Sequence, residues 1–235
     1  MCRPPKAAQV INPGPKDIER LNLIIDKCRK SPEAGLRYVA LGERVRVAAF
    51  VDGSFADNAD LSSQLGLVVA LMDENDAANI IHYTTGKAKR VTRSVLAAEL
   101  YAMAGGFDAA SSMRPTIAEI MGKKVPLTIY TDSKSLFDAT TTINTVTEKR
   151  LLIDLQVIRQ AYEHQEVTDI CWIPTHQNPA DGMTKEKPNK ALRQLMEENR
   201  LELTPNAWVE RKANRATPTP SQPIPRYSEP NSYHG

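Results

Sequence analysis

RVRVAAFVD, residues 44–52, is an apolar strand that ends on a carboxylate, and the fold turns on what that aspartate is for. Strand alternation sends Val45, Val47, Ala49 and Val51 to one face and Ala48, Phe50 and Asp52 to the other. LTIYTD, residues 127–132, repeats the pattern, with Asp132 on the face of Thr128 and Tyr130. Taken singly, each aspartate has an ordinary use. Asp52-Gly53 is a hairpin-turn pair, and Asp132 stands where a following helix would take an N-cap.

The intervening chain decides between these uses. QLGLVVALMD from Gln64 and ANIIHYTT from Ala78 are strands joined through Asp73-Glu74-Asn75-Asp76, which predicts a hairpin. The period then changes: from Ser94 to Ala110, Leu96, Leu100, Met103 and Phe107 fall on one helical face, with Glu99 inside the stripe. A right-handed crossover through that helix permits the two aspartate-ended strands to be parallel neighbours. Asp52 and Asp132 then lie side by side, and the helix directs Glu99 at both.

Downstream, Ser133 to about Thr140 forms a short helix, and Leu151, Leu152, Leu155, Ile158 and Tyr162 define a longer one. DICWIPT from Asp169 is a last strand, with Cys171 and Trp172 as packing residues. It precedes the turn NPADGMTK, which carries Asp181, and a polar helix from Asn189 to about Leu203. An N-terminal helix covers Lys16 to Lys30, with Pro15 at its first turn. The order β-β-β-α-β-α-α-β-α predicts an α/β domain, a mixed five-stranded sheet with helices on both faces, over residues 44–203. Residues 1–43 are a helix and connecting segment, and residues 204–235 a Pro-rich disordered tail.

Three or four carboxylates within several ångströms repel one another, so they take up protons or bind a cation. Oxygen-only ligands favour magnesium or manganese over zinc. Composition limits the alternatives. A formal charge of +2 is too small for binding nucleic acid by bulk electrostatics, so phosphate contact has to come from a local cluster. Lys87, Lys89, Arg90 and Arg93 supply one, with no acid between them. Three widely spaced cysteines support neither a disulfide framework nor a zinc site. No run approaches the roughly 18 apolar residues of a membrane span, and no secretory segment opens the chain. The expectation is an intracellular protein of cytoplasm or nucleus, neither secreted nor membrane-bound.

Four blocks in this order, VDGSFAD (51–57) with DLSSQLG (60–66), IIHYTTGKAKRVTRSVLAAELYAM (80–103), YTDSKSL (130–136) and NPADGMTK (178–185), resemble the ribonuclease H domain of copia-type LTR retrotransposons. The resemblance implies a ribonuclease H-like fold and divalent-metal-dependent hydrolysis of the RNA strand in RNA/DNA hybrids. It implies two Mg2+ ions, with Mn2+ as a substitute, on Asp52, Glu99, Asp132 and Asp181. It places Gly53, Ser54 and Ser133 near the 2′-hydroxyls and His176 near enough to assist proton transfer, while the charge of the basic stretch itself points Lys89, Arg90 and Arg93 at phosphates. His82 is read as a packed or rim residue.

In that family the domain follows a reverse transcriptase, the expected partner in cis or in trans. Residues 8–43 look like the connecting segment. Without a Tyr-x-Asp-Asp polymerase signature, the chain looks like a fragment, a processed product or a remnant reading frame. The competing expectation is a catalytically silent remnant that binds nucleic acid or protein. An integrase-like strand-transfer enzyme is disfavoured because Glu99 precedes Asp132 rather than following it.

Overall fold

The computed structural model describes residues 14–33, 35–58, 60–141, 148–185 and 187–208. Six strands form one sheet in the order β3-β2-β1-β4-β5-β6. β1 (Arg46–Ser54) lies inside the sheet, antiparallel to β2 (Gln64–Met72) and parallel to β4 (Leu127–Thr131). β3 (Ala78–Lys87) continues the antiparallel side, and β5 (Asp169–Trp172) continues the parallel side. This is the mixed α/β sheet expected from the sequence, with one strand more.

The alternation in β1 is the reason both faces of the sheet are covered. Val47, Ala49 and Val51 enter a core shared with α2 (Val95–Met121), α3 (Lys134–Thr141) and α4 (Leu151–Glu163). Ala48 and Phe50 enter a second core with α5 (Asp181–Thr184) and α6 (Lys190–Glu198), where Phe50 stacks on Tyr130 at 4.9 Å. A strand buried on both sides needs apolar residues at every position, as residues 47–51 have.

Several boundaries differ from those expected. α2 runs to Met121 instead of stopping near Ala110, and it contains Pro115. Proline removes one helical hydrogen bond, but Met113, Ile117, Ala118 and Met121 all pack on the core, and tertiary burial overrides the local break. Gly122, in the left-handed conformation at φ 63°, ends the helix. α6 stops at Glu198, where Asn199 turns left-handed (φ 51°), rather than continuing to Leu203.

The sixth strand, β6 (Ala207–Trp208), lies in the stretch read as tail. It pairs antiparallel with β5, and Asn206 N–H donates to Trp172 O at 2.8 Å. The remainder of that stretch, from residue 209, falls outside the described residues.

The connecting segment divides in two. α1 (Pro15–Lys30) buries no side chain. Residues 36–42 instead form a strap against the domain. Asn79 both accepts from Val39 N–H (2.9 Å) and donates to Val39 O (2.8 Å), Asn199 donates to Arg37 O (2.8 Å), and Asp73 accepts from Gly42 N–H (2.7 Å).

Candidate metal centre

Asp52 is not in a turn. Its backbone pairs with Gly66 inside the β1–β2 ladder, and its side chain is buried on the face of Ala48 and Phe50. Asp132 is the first residue beyond β4 and is half-buried. It does not cap α3, because Leu136 N–H donates to Ser133 Oγ at 3.4 Å. The side chain of Asp132 instead accepts from Asn178 Nδ2 at 2.8 Å, and its carbonyl accepts from Trp172 Nε1 at 3.2 Å. Asp181 opens α5 and is buried.

The register Val51↔Thr131 puts the next residues, Asp52 and Asp132, side by side. The turn before α5 brings in Asp181 from the face that α5 and α6 cover. Asp52, Asp132 and Asp181 each present an oxygen, and these oxygens all lie within 4.8 Å of one another. Such proximity of like charges is unstable without compensation.

Glu99 stands beside this trio, on the second turn of α2. It is 7% exposed, and its Oε2 accepts from Gly53 N–H at 3.2 Å. The contact depends on Gly53 having no side chain: a Cβ there would lie 2.5 Å from Ala98 O and 2.7 Å from Glu99 N. The helix therefore rests directly on the strand, and this close approach aims Glu99 into the pocket.

Burial, with the Asp52 and Asp132 charges adding to it, pushes the Glu99 carboxyl up to about 9. Burial likewise raises Asp52 to about 6, opposed by the Thr184 hydroxyl it accepts from and reinforced by Asp132 and Asp181. At neutral pH Glu99 holds its proton while Asp52 is mostly ionised. Lys185 Nζ forms an ion pair with Asp181, which raises the lysine above its ordinary value. The side chains brought together here are carboxylates, hard oxygen donors suited to a divalent ion such as Mg2+ or Mn2+ and unsuited to soft metals.

The other residues singled out in the sequence are dispersed. Ser54 ends β1 half-buried, and Ser133 caps α3. Within the basic stretch, Arg90 is bound to Asp154 of α4 at 3.0 Å and lies over the Tyr101 ring at 5.5 Å. Lys87 pairs with Asp60 at 2.6 Å. Lys89 and Arg93 are exposed. His176 is exposed on the 3-10 turn Thr175–Gln177. His82, in β3, is half-buried, as a rim residue would be.

Four residues of the site were not foreseen: Asn178, Thr184, Lys185 and Asn189. Three of them lie inside NPADGMTK, and the fourth caps α6, with Leu192 N–H donating to Asn189 Oδ1 at 2.9 Å. No candidate membrane-spanning helix occurs among the described residues.

No protein-family model matches the chain, and no curated protein does. Among solved structures, the chain is similar to LC11-RNase H1, isolated from compost by a metagenomic approach, with 19% identity over 63% of this chain and 98% of that one, TM-score 0.45. It is similar to RNase H1 of the halophilic archaeon Halobacterium salinarum NRC-1, with 20% identity over 63% and 98%, TM-score 0.43. It is similar also to the RNase H domain of PFV, with 12% identity over 67% and 95%, TM-score 0.41.

Proposed function

We propose that this chain is a divalent-metal-dependent endonuclease that hydrolyses the RNA strand of RNA/DNA hybrids, as the ribonuclease H part of a retrotransposon reverse transcriptase. The observation that carries the reading is the convergence of Asp52, Asp132 and Asp181 oxygens within 4.8 Å, with Glu99 buried beside them. One of the neighbouring solved structures, LC11-RNase H1, is described in complex with an RNA/DNA hybrid. Four sequence blocks resembling the copia-type domain add the retrotransposon context and, with it, a reverse transcriptase partner in cis or in trans inside the cell.

When bound, a pair of divalent ions supplies a polarised water on one side of the scissile phosphate and charge stabilisation of the leaving 3′ oxygen on the other. On the resemblance, Asp52 would be the ligand common to both ions, with Glu99 and Asp132 serving one and Asp181 the other. Glu99 would have to lose its proton to act as a ligand. The Gly53 N–H is already committed to Glu99, so the Ser54 and Ser133 hydroxyls are the better groups for reading 2′-hydroxyls. Lys89 and Arg93, exposed ahead of α2, take phosphates. His176 assists proton transfer or product release from its exposed turn.

The test is incubation of the purified chain with a labelled RNA/DNA hybrid and Mg2+ or Mn2+, beside Asp52→Asn. Metal-dependent cleavage of the RNA strand alone, lost in the variant, is the expected result. Equal cleavage by Asp52→Asn would overturn the assignment of this site, and hybrid binding without any cleavage would favour the silent module.

A further inference from the structure

Two asparagine amides connect carboxylates that the backbone does not. Asn178 is completely buried. Its Nδ2 donates both to Val51 O at 2.9 Å and to Asp132 Oδ1 at 2.8 Å, and its Oδ1 accepts from Ala180 N–H at 3.1 Å. Val51 is the last β1 residue in register with β4. The Asn178 side chain therefore ties β1 to Asp132 at the point where the β1–β4 ladder ends. The Asn178 carbonyl in turn accepts from Asn189 Nδ2 at 2.7 Å.

Asn189 uses its amide just as fully. Besides the Asn178 carbonyl, Nδ2 reaches Asp181 Oδ2 at 3.3 Å, while Oδ1 caps α6 through Leu192 N–H. The approach is possible because Gly182 lacks a side chain: a Cβ there would stand 2.9 Å from Asn189 N and 3.1 Å from its Oδ1. A continuous series results, Asp132 to Asn178 to Asn189 to Asp181. It joins a carboxylate at the end of a core strand to one at the start of α5 and terminates at the cap of α6.

The chemistry of the donors matters. Lys185 neutralises Asp181 with a full charge, whereas a neutral amide fixes a carboxylate's direction and leaves its negative charge for a cation. An amide bound to one oxygen of Asp132 leaves that residue's other oxygen for the pocket. We propose that Asn178 and Asn189 are positioning residues that set the separation and orientation of Asp132 and Asp181 for the divalent ion. This rests on the reading of the pocket as a metal centre.

Asn189→Ser separates positioning from plain support, because serine caps a helix as well as asparagine does but cannot donate across to Asp181 and Asn178 together. In the full chain, binding of Mn2+ alone is measured by electron paramagnetic resonance titration, with metal-free Tm alongside and hybrid cleavage kinetics as a further readout. The expected result is a Mn2+ Kd weakened roughly 10-fold or more. Metal-free Tm should stay within about 5 °C of the parent, and kcat should fall while KM for the hybrid stays.

An unchanged Mn2+ Kd in folded Asn189→Ser overturns the proposal. Should that variant fail to fold, Asn189→Thr, another capping residue without an amide, repeats the measurement. Failure of both to fold would make the amide structural and overturn it equally. A parent chain that binds no Mn2+, or that binds it as well after Asp52→Asn, would sink the metal centre itself. A parent that binds Mn2+ but cuts no hybrid would sink the nuclease reading and leave the role of the amides to be judged on Kd.

Discussion

Glu99→Gln should make the metal-free protein more stable, by an amount that depends on pH. The Glu99 carboxyl is raised from 4.5 to about 9 by burial and its acidic neighbours. Between those values the folded state holds a proton that the unfolded chain releases, so stability falls as pH rises. Below pH 4.5 both states are protonated and the cost is absent. Each pH unit above it costs about 1.4 kcal/mol, so by pH 7 the accumulated cost is about 3 kcal/mol.

Glutamine is uncharged at every pH and keeps an oxygen to accept from Gly53 N–H. The substitution therefore relieves that cost, raising Tm by roughly 6–12 °C at pH 7 for a chain of this size and by almost nothing near pH 4.5. Urea denaturation in the presence of EDTA at several pH values between 4.5 and 8 measures this directly. A stability difference that does not change with pH would refute the reasoning, as would a Gln variant less stable than the parent at pH 7. Adding Mg2+ should reverse the ranking, because a cation stabilises the parent's full carboxylate set.

Three further outcomes follow from geometry. Gly53→Ala should lower stability by about 1–3 kcal/mol, since its Cβ meets the backbone of Ala98 rather than a yielding side chain; unaltered denaturation curves would contradict the direct seating of α2 on β1. Neutralising Lys89 and Arg93 together should weaken hybrid binding and reduce the slope of log affinity against log salt by about 2. Arg90→Ala, which frees Asp154, should act chiefly on stability, and an unaltered slope in the double variant would remove the basic stretch from the interface.

The sequence carried the strands and the first three carboxylates because one rule, alternation along a strand, governs both core and site. Asp52 and Asp132 occupy the face of Phe50 and Tyr130, and Glu99 interrupts an otherwise apolar stripe. Period alone could not separate an Asp-Gly in a turn from one inside a ladder; the pairing of Asp52 with Gly66 does. The apolar stripe of α2 is legible only to about Ala110, because the packing of Met113 and Ile117 that carries the helix past Pro115 is not local. The pairing of Arg90 with Asp154 was not legible because the two residues are far apart along the chain. Asn178 and Asn189 escaped notice because asparagine beside proline or ahead of a helix already has a backbone use.

The acidic pocket is assembled from parts of unequal permanence. Asp52 and Asp132 ride on strands at the middle of the sheet, whereas Asp181 arrives on a four-residue helix that follows the last parallel strand. The repulsion that Asp181 adds to that of Asp52 and Asp132 is therefore borne by a short helix docked on β1 and β2. A bound ion would act as a fastener on that docking, clasping the short helix to the strands through the very charges that otherwise push it away.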